Sequence, residues 1–353
     1  MFFRKSQTAN KPKVFTGMWN AEQNQHVTSM SDFPKGSHVF GITTSPLGDI
    51  MVGAGNPQTG EGTVSIRQAN GSWNSIVLPD ETAWLSQFVR LDDGSYVASG
   101  MTLIGRAAIL KSDVTAQNWK SIDMDLHSYC QINSLIQLPN GELLASTGKM
   151  ITQGKTKPIL LRSKDQGVSW EIEEVKLPIT QFHTFHMDGD RLYAGTCGDH
   201  SPVLYTSDDF GVTWNTLPQL PSYKTYKTIA LQPIMVGGEK RILAVMWGYK
   251  IDIADRVVRL YVTDSEGKAW NELPPVLDSH FLFSFYVAPD STFYAGSEKG
   301  MFLRSKDSGA SWEKLARFPT NIGAYAIHQH NGQIWLGKDF VEPDFTSLWT
   351  VNS

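Results

Sequence analysis

An eight-residue pattern recurs along the chain and constrains the fold more than any other feature. It runs Ser163–Trp170 (SKDQGVSW), Ser207–Trp214 (SDDFGVTW) and Ser305–Trp312 (SKDSGASW). Each copy carries a carboxylate (Asp165, Asp209, Asp307), a glycine (Gly167, Gly211, Gly309) and a closing indole (Trp170, Trp214, Trp312). A fourth copy, Thr263–Trp270 (TDSEGKAW), keeps Thr263, Gly267 and Trp270 but has Ser265 at the carboxylate position. Two worn copies end at Trp119 (SDVTAQNW) and Trp73 (RQANGSW). From Trp73 through Trp119, Trp170, Trp214 and Trp270 to Trp312 the indoles are 46, 51, 44, 56 and 42 positions apart. A period of roughly 40–50 residues is the length of one four-stranded propeller blade.

The stretches between octets read as short strands. In the third unit the expected strands are Gln131–Leu138, Glu142–Thr147 and Pro158–Arg162, with a turn at 139–141. The octet then turns the chain into a last strand beginning at Trp170. Equivalent hairpin signals lie at 47–49, 92–94, 188–190, 289–291 and 331–333, with Gly237 and Gly238 marking one more. The count gives an all-β, seven-bladed β-propeller of four-stranded antiparallel blades, with six blades as the alternative. The last unit has candidate strands at Ala324–His330, Gln333–Gly337 and Ser347–Val351 but no fourth. Lys13–Asn20 (KVFTGMWN) is expected to supply it and close the ring, with 1–12 as an arm. Residues 1–353 then form a single domain, although length alone suggests two.

Composition narrows the partners. A net charge of −4 with 19% charged residues argues against a nucleic-acid partner. Two cysteines, Cys130 and Cys197, exclude a disulfide framework and a multi-cysteine zinc site, and no cofactor or metal is expected. The start, MFFRKSQTANKPKVF, lacks the apolar core of a secretory signal, and no run approaches the ~20 apolar residues of a membrane span. Membrane insertion is therefore not expected, and the expected location is cytoplasmic or virion-associated. The 11 Trp and 30 Gly are what repeated indoles and tight turns require.

The octet resembles the Asp-box, or BNR repeat, of the sialidase-like β-propeller superfamily. The resemblance covers essentially the whole chain. It implies a structural turn away from the catalytic face: the Asp accepts turn amides, the Gly takes positive φ, and the Trp packs between sheets. For sialidase chemistry it implies an Arg cluster, a Tyr nucleophile with a Glu partner, and an acidic group. The family's Arg-Ile-Pro signature is absent, and no Arg lies between Arg4 and Arg67. Arg67, Arg106, Arg162 and Arg304 fall on or beside third strands. Sialidase activity is not expected. A glycoside hydrolase would have to draw its acids from loops carrying Asp123, Asp125, Asp199, Asp252 and Asp255.

The first strands carry Arg90, Gln137, His183, His186 and His328, and are opened by His38, Trp84, Tyr129, Tyr226, His280 and Tyr325. In a propeller these openings converge on one mouth of the central channel. The ligand-binding candidates are His38, Trp84, Arg90, His183, His186, Tyr226, His280, Tyr325 and His328. His183 and His186 are three apart and face opposite sides of a regular strand, so a metal pair would need a bulge. Lys224 and Lys227 read as solvated surface. The expectation is a non-catalytic recognition or scaffold propeller holding a glycan or protein, possible as a phage tail component. A glycoside hydrolase and a cytoplasmic protein–protein platform are the alternatives. The oligomeric state is not encoded in any motif.

Overall fold

The computed structural model describes residues 26–56, 59–79, 81–124, 131–152, 155–197, 203–221, 225–249, 256–277, 279–298, 300–318, 324–338 and 346–351. These residues contain strands and no helix. The first strand, β1 (Val27–Ser29), stands apart from the next four, β2 (His38–Thr44), β3 (Ile50–Gly55), β4 (Gly62–Arg67) and β5 (Trp73–Val77), which form one antiparallel sheet. The second sheet holds β6 (Thr82–Arg90), β7 (Tyr96–Thr102), β8 (Ala107–Ser112) and β9 (Trp119–Ile122). The third holds β10 (Ser134–Gln137), β11 (Leu143–Thr152), β12 (Lys155–Ser163) and β13 (Glu171–Glu174).

An eight-stranded sheet follows. It combines β14 (Gln181–Asp188), β15 (Arg191–Cys197), β16 (Tyr205–Ser207) and β17 (Asn215–Thr216) with β18 (Thr225–Val236), β19 (Glu239–Tyr249), β20 (Arg256–Thr263) and β21 (Trp270–Glu272). Its halves meet at one residue pair, Cys197 opposite Lys227. The next sheet is β22 (Leu282–Val287), β23 (Phe293–Ser297), β24 (Met301–Ser305) and β25 (Glu313–Arg317). The last is β26 (Ala326–His330), β27 (Gln333–Gly337) and β28 (Leu348–Val351), completed by β1.

The fourth position of the last sheet is thus held by Val27–Ser29, with Val27 opposite Val351 and Ser29 opposite Trp349. The expected closing segment, 13–20, and the arm, 1–12, lie outside the described residues.

Burial is graded across each sheet. First strands are half-wet, as in β2. Second strands are buried on both faces, as in β3 and β15, and read as near-continuous apolar runs. Fourth strands, such as β5 and β13, are largely exposed. The first strands contact one another in the cyclic order β2, β6, β10, β14, β18, β22, β26 and back to β2. Apolar clusters fill the junctions between neighbours. Met51 and Ile66 pack with Leu85 and Tyr96 at one, and Trp335 and Leu348 pack with Val39 and Val52 where the chain's ends meet. These junctions are tight. A Cβ on Gly296 would lie 2.1 Å from the Ala324 carbonyl oxygen of the next sheet.

The octets make the turns between third and fourth strands. In the first full copy, Ser163 Oγ donates to Asp165 Oδ1 at 2.8 Å and accepts the Gly167 amide at 2.8 Å. Asp165 also accepts the Ser169 amide and hydroxyl. The copies at Ser207 and Ser305 repeat this set. These bonds hold the carboxyls of Asp165, Asp209 and Asp307 down at about 2. Gly309 has φ +93°, which only glycine adopts readily.

The imperfect copies find substitutes. Asp264, one position early, accepts the Lys268 amide at 2.8 Å in place of the missing carboxylate. In the worn copy, Asp113 accepts from Thr115, Gln117 and Asn118. The turns also tie neighbouring sheets together. Arg162, 5% exposed, donates to the Phe210 carbonyl of the next octet while pairing with Glu173 and Glu142.

Candidate functional site

Five of the seven first strands share one irregularity. The pairing of β2 with β3 skips Phe40, that of β6 with β7 skips Ser86, and that of β14 with β15 skips His183. β18 skips Ile229 and β22 skips Phe283 in the same way. A bulge inserts one unpaired residue and re-aims its side chain. All five of these residues line a single cavity of about 300 Å³ bounded by first strands. The bulges therefore build the channel surface.

Aromatic rings continue this surface as an arc. Trp84 stacks on Phe40 at 4.9 Å, Phe40 meets Tyr325 at 5.5 Å, and Tyr325 meets Phe283 at 5.2 Å. Phe283 meets Phe281 at 4.7 Å, and Phe281 meets Trp247 at 4.9 Å. His38 stacks on Phe40 with its ring 6° from parallel. Of these rings Phe40, Phe283 and Tyr325 line the cavity; His38, Trp84 and Phe281 are half-buried beside them, and Trp247 is buried.

Across the cavity sit His183 and Lys227. Burial and the nearby ammonium of Lys227 push the His183 imidazole well below its usual value, so the ring is neutral near pH 7. Burial also pushes Lys227 downward. No Asp or Glu is among the described residues that line the cavity.

Of the sequence candidates, Tyr325 and His183 line the cavity, and His38 and Trp84 stack on Phe40 of its wall. The structure separates others. Arg90 is exposed at the far end of β6, six residues from Trp84 or roughly 20 Å at about 3.3 Å per residue, with its guanidinium 6.0 Å from the Tyr96 ring. One strand cannot put both at the same mouth. His328 lies along β26 beside Thr44, where burial and His330 lower it to about 4. His186 is lowered by burial and partly restored by Asp188. His280 is exposed and pairs with Glu298 at 2.8 Å. The side chain of Tyr226 lies outside the described residues.

The bulge that a His183–His186 metal pair would need is present. Even so, no group of three or more His, Cys, Asp or Glu among the described residues could hold a metal ion. Of the loop acids, Asp123 is exposed, and Asp125, Asp199, Asp252 and Asp255 lie outside the described residues.

Sequence reasoning missed Phe40, Phe281, Phe283 and Ser86, and placed Lys227 on the solvated surface. A signal existed for one ring. In His38–Thr44, Val39-Phe40 puts two apolar residues side by side in a strand that otherwise alternates. The arginines are committed elsewhere: Arg162 pairs with Glu173 and Arg304 with Glu313, from third strand to fourth.

No protein-family model and no curated protein matches the chain. Solved structures do, and they place it among β-propellers. A streptogramin B lyase superposes with a TM-score of 0.61 at 11% identity, over 94% of this chain and 99% of that one. YCF48 from Cyanidioschyzon merolae does so with 0.61 at 14%, over 91% and 97%. A GH74 xyloglucanase from Xanthomonas campestris gives 0.57 at 17%, over 92% of this chain and 55% of that one. At these identities the likeness is one of fold. No helix among the described residues is long and apolar enough to cross a membrane.

Proposed function

We propose that this chain is a seven-bladed recognition ring, non-catalytic, that holds a glycan or protein segment at the aromatic mouth of its channel. The blade count rests on the cyclic contact of first strands, with the eight-stranded sheet taken as two blades. The octets are read as Asp-box turns with a purely structural role.

The observation that carries the reading is the continuous arc Trp84–Phe40–Tyr325–Phe283–Phe281–Trp247, whose Phe40, Tyr325 and Phe283 line the cavity. Aromatic faces bind sugar rings and apolar side chains through stacking and area burial. Hydrolysis of a glycoside needs two carboxylates about 5–10 Å apart, and the described lining offers none. A virion-borne module and a cytoplasmic platform are two settings for the same ring.

A glycan array, together with turnover assays on reporter glycosides, tests this. Trp84→Ala is expected to lose at least about tenfold in binding, since a stacked ring contributes about 1.5 kcal/mol. Asp307→Ala, on a turn outside the channel, should keep it. Turnover by the wild-type protein, or binding indifferent to Trp84→Ala, would overturn the proposal.

A further inference from the structure

The hydrogen-bonding sense of the channel wall is one-sided. Ser284 Oγ donates its hydrogen to the Ala324 carbonyl at 2.6 Å, and Ser86 Oγ donates to the Ser99 carbonyl at 3.4 Å. Each hydroxyl oxygen is left with lone pairs to offer the cavity. The ring of His183 is held neutral, and its Nδ1 is buried with no partner. So this part of the wall presents acceptors, and a complementary ligand must bring hydroxyl donors.

Lys227 is the exception. It is the one cationic group among the described residues lining the cavity. Its electrostatic neighbours among the described residues are the Cys197 thiol and the His183 ring, neither a carboxylate. The β18 pairing slips on both sides of it, between Thr225 and Lys227 and between Thr228 and Ala230. It is also the residue that joins the two halves of the eight-stranded sheet, opposite Cys197. The backbone is thus specially shaped where this ammonium enters an aromatic-walled cavity. An ammonium drawn out of water without a counter-charge is costly, and a bound anion removes that cost.

A ligand that fits must combine a ring face for Tyr325 and Phe283, hydroxyl donors for the serines, and one anionic group for Lys227. We propose that the channel binds a hexuronate unit, a sugar ring bearing a carboxylate, with the carboxylate on Lys227. This rests on the reading of the channel mouth as the binding site and adds the chemical class of the ligand. A cavity of about 300 Å³ is at the small end for a ligand pocket, which suits one or two sugar rings.

Calorimetric titration of the full chain tests it with four probes: trigalacturonate, its methyl ester, a glucuronate-containing trisaccharide and a tetraglutamate peptide. At least one of the two acidic sugars should bind. Its affinity should exceed that of its own methyl ester by about tenfold, the worth of one charge-assisted hydrogen bond. Lys227→Met should erase that preference, while Lys227→Arg should restore most of it. Both variants are checked by thermal melting, and the arginine variant shows whether a loss is one of charge or of fold.

Equal affinity for acid and ester, or a preference that survives Lys227→Met, overturns the inference. So does Lys227-dependent binding of tetraglutamate without the sugars, or no binding of either acidic sugar. Tyr325→Ala separates this failure from that of the broader reading. If it weakens an ester or neutral glycan while Lys227→Met changes nothing, the mouth is a binding site but not one for uronates.

Discussion

The octet turns and the channel wall are built from similar side chains, and they use them in opposite ways. At the octets, Asp165, Asp209 and Asp307 each accept from a nearby amide and two hydroxyls, and Ser163, Ser207 and Ser305 each donate to that carboxylate and accept the glycine amide. In the channel, His183 Nδ1 has no partner, and Ser86 and Ser284 have used only their hydrogens. A saturated polar group fixes its own loop and has nothing left to give a ligand. An unsaturated one inside a cavity costs stability until something binds. The contrast separates residues that hold the fold from those free to recognise.

Breaking the saturated side should cost most. Arg162 ties Glu173 and Glu142 to the carbonyl of Phe210 in the neighbouring octet. Arg162→Met is expected to destabilise by roughly 2–4 kcal/mol, because it strands the two carboxylates and removes the bond between sheets. Its partners are partly exposed and rehydrate, which keeps the loss below that of a fully buried pair. Denaturant melts should show this, and a ring that melts like wild type would mean that the sheet-to-sheet tie carries no stability.

Next comes Asp209→Ala, which removes three hydrogen bonds at one exposed turn. About 1 kcal/mol is expected, in line with the loss of a helix cap. Binding at the channel should be unaffected. If binding falls with stability left intact, the octet turns and the channel are coupled.

The saturated region was legible in the sequence and the unsaturated one only in part. An octet encodes its hydrogen bonds within eight residues, so the pattern of Ser, Asp, Gly and Trp specifies the turn directly. Even the degenerate copy keeps its logic, with the role passing from position 265 to Asp264. The channel depends on register between strands. Phe40 and Phe283 reach the axis because a bulge breaks the alternation, and the alternation was the signal being read. Lys227 escaped because its setting arises from Cys197, thirty positions away on β15. The closing strand is three residues long, Val27–Ser29, which is too short to show a period of two.

Acid should act on His328 first and on the octets later, with small effects at each step. His328 is lowered to about 4 by burial and by His330, from an ordinary value of 6.5. Below pH 6.5 the unfolded chain takes up this proton and the folded one does not. Stability from a neutral His328 is therefore present above about 6.5 and is lost as pH falls toward 4. The octet carboxylates act lower, since Asp165, Asp209 and Asp307 are held at about 2 against an ordinary 3.8. Their contribution is present above about 3.8 and is lost as pH falls toward 2. Melting temperatures measured from pH 7 to pH 2 should reveal both windows. His328→Asn should flatten the fall between 6.5 and 4 by about 2 °C. Asp209→Asn should leave that window unchanged and flatten only the fall between 3.8 and 2. A single variant that flattens both windows would show that His328 and the octets titrate as one unit.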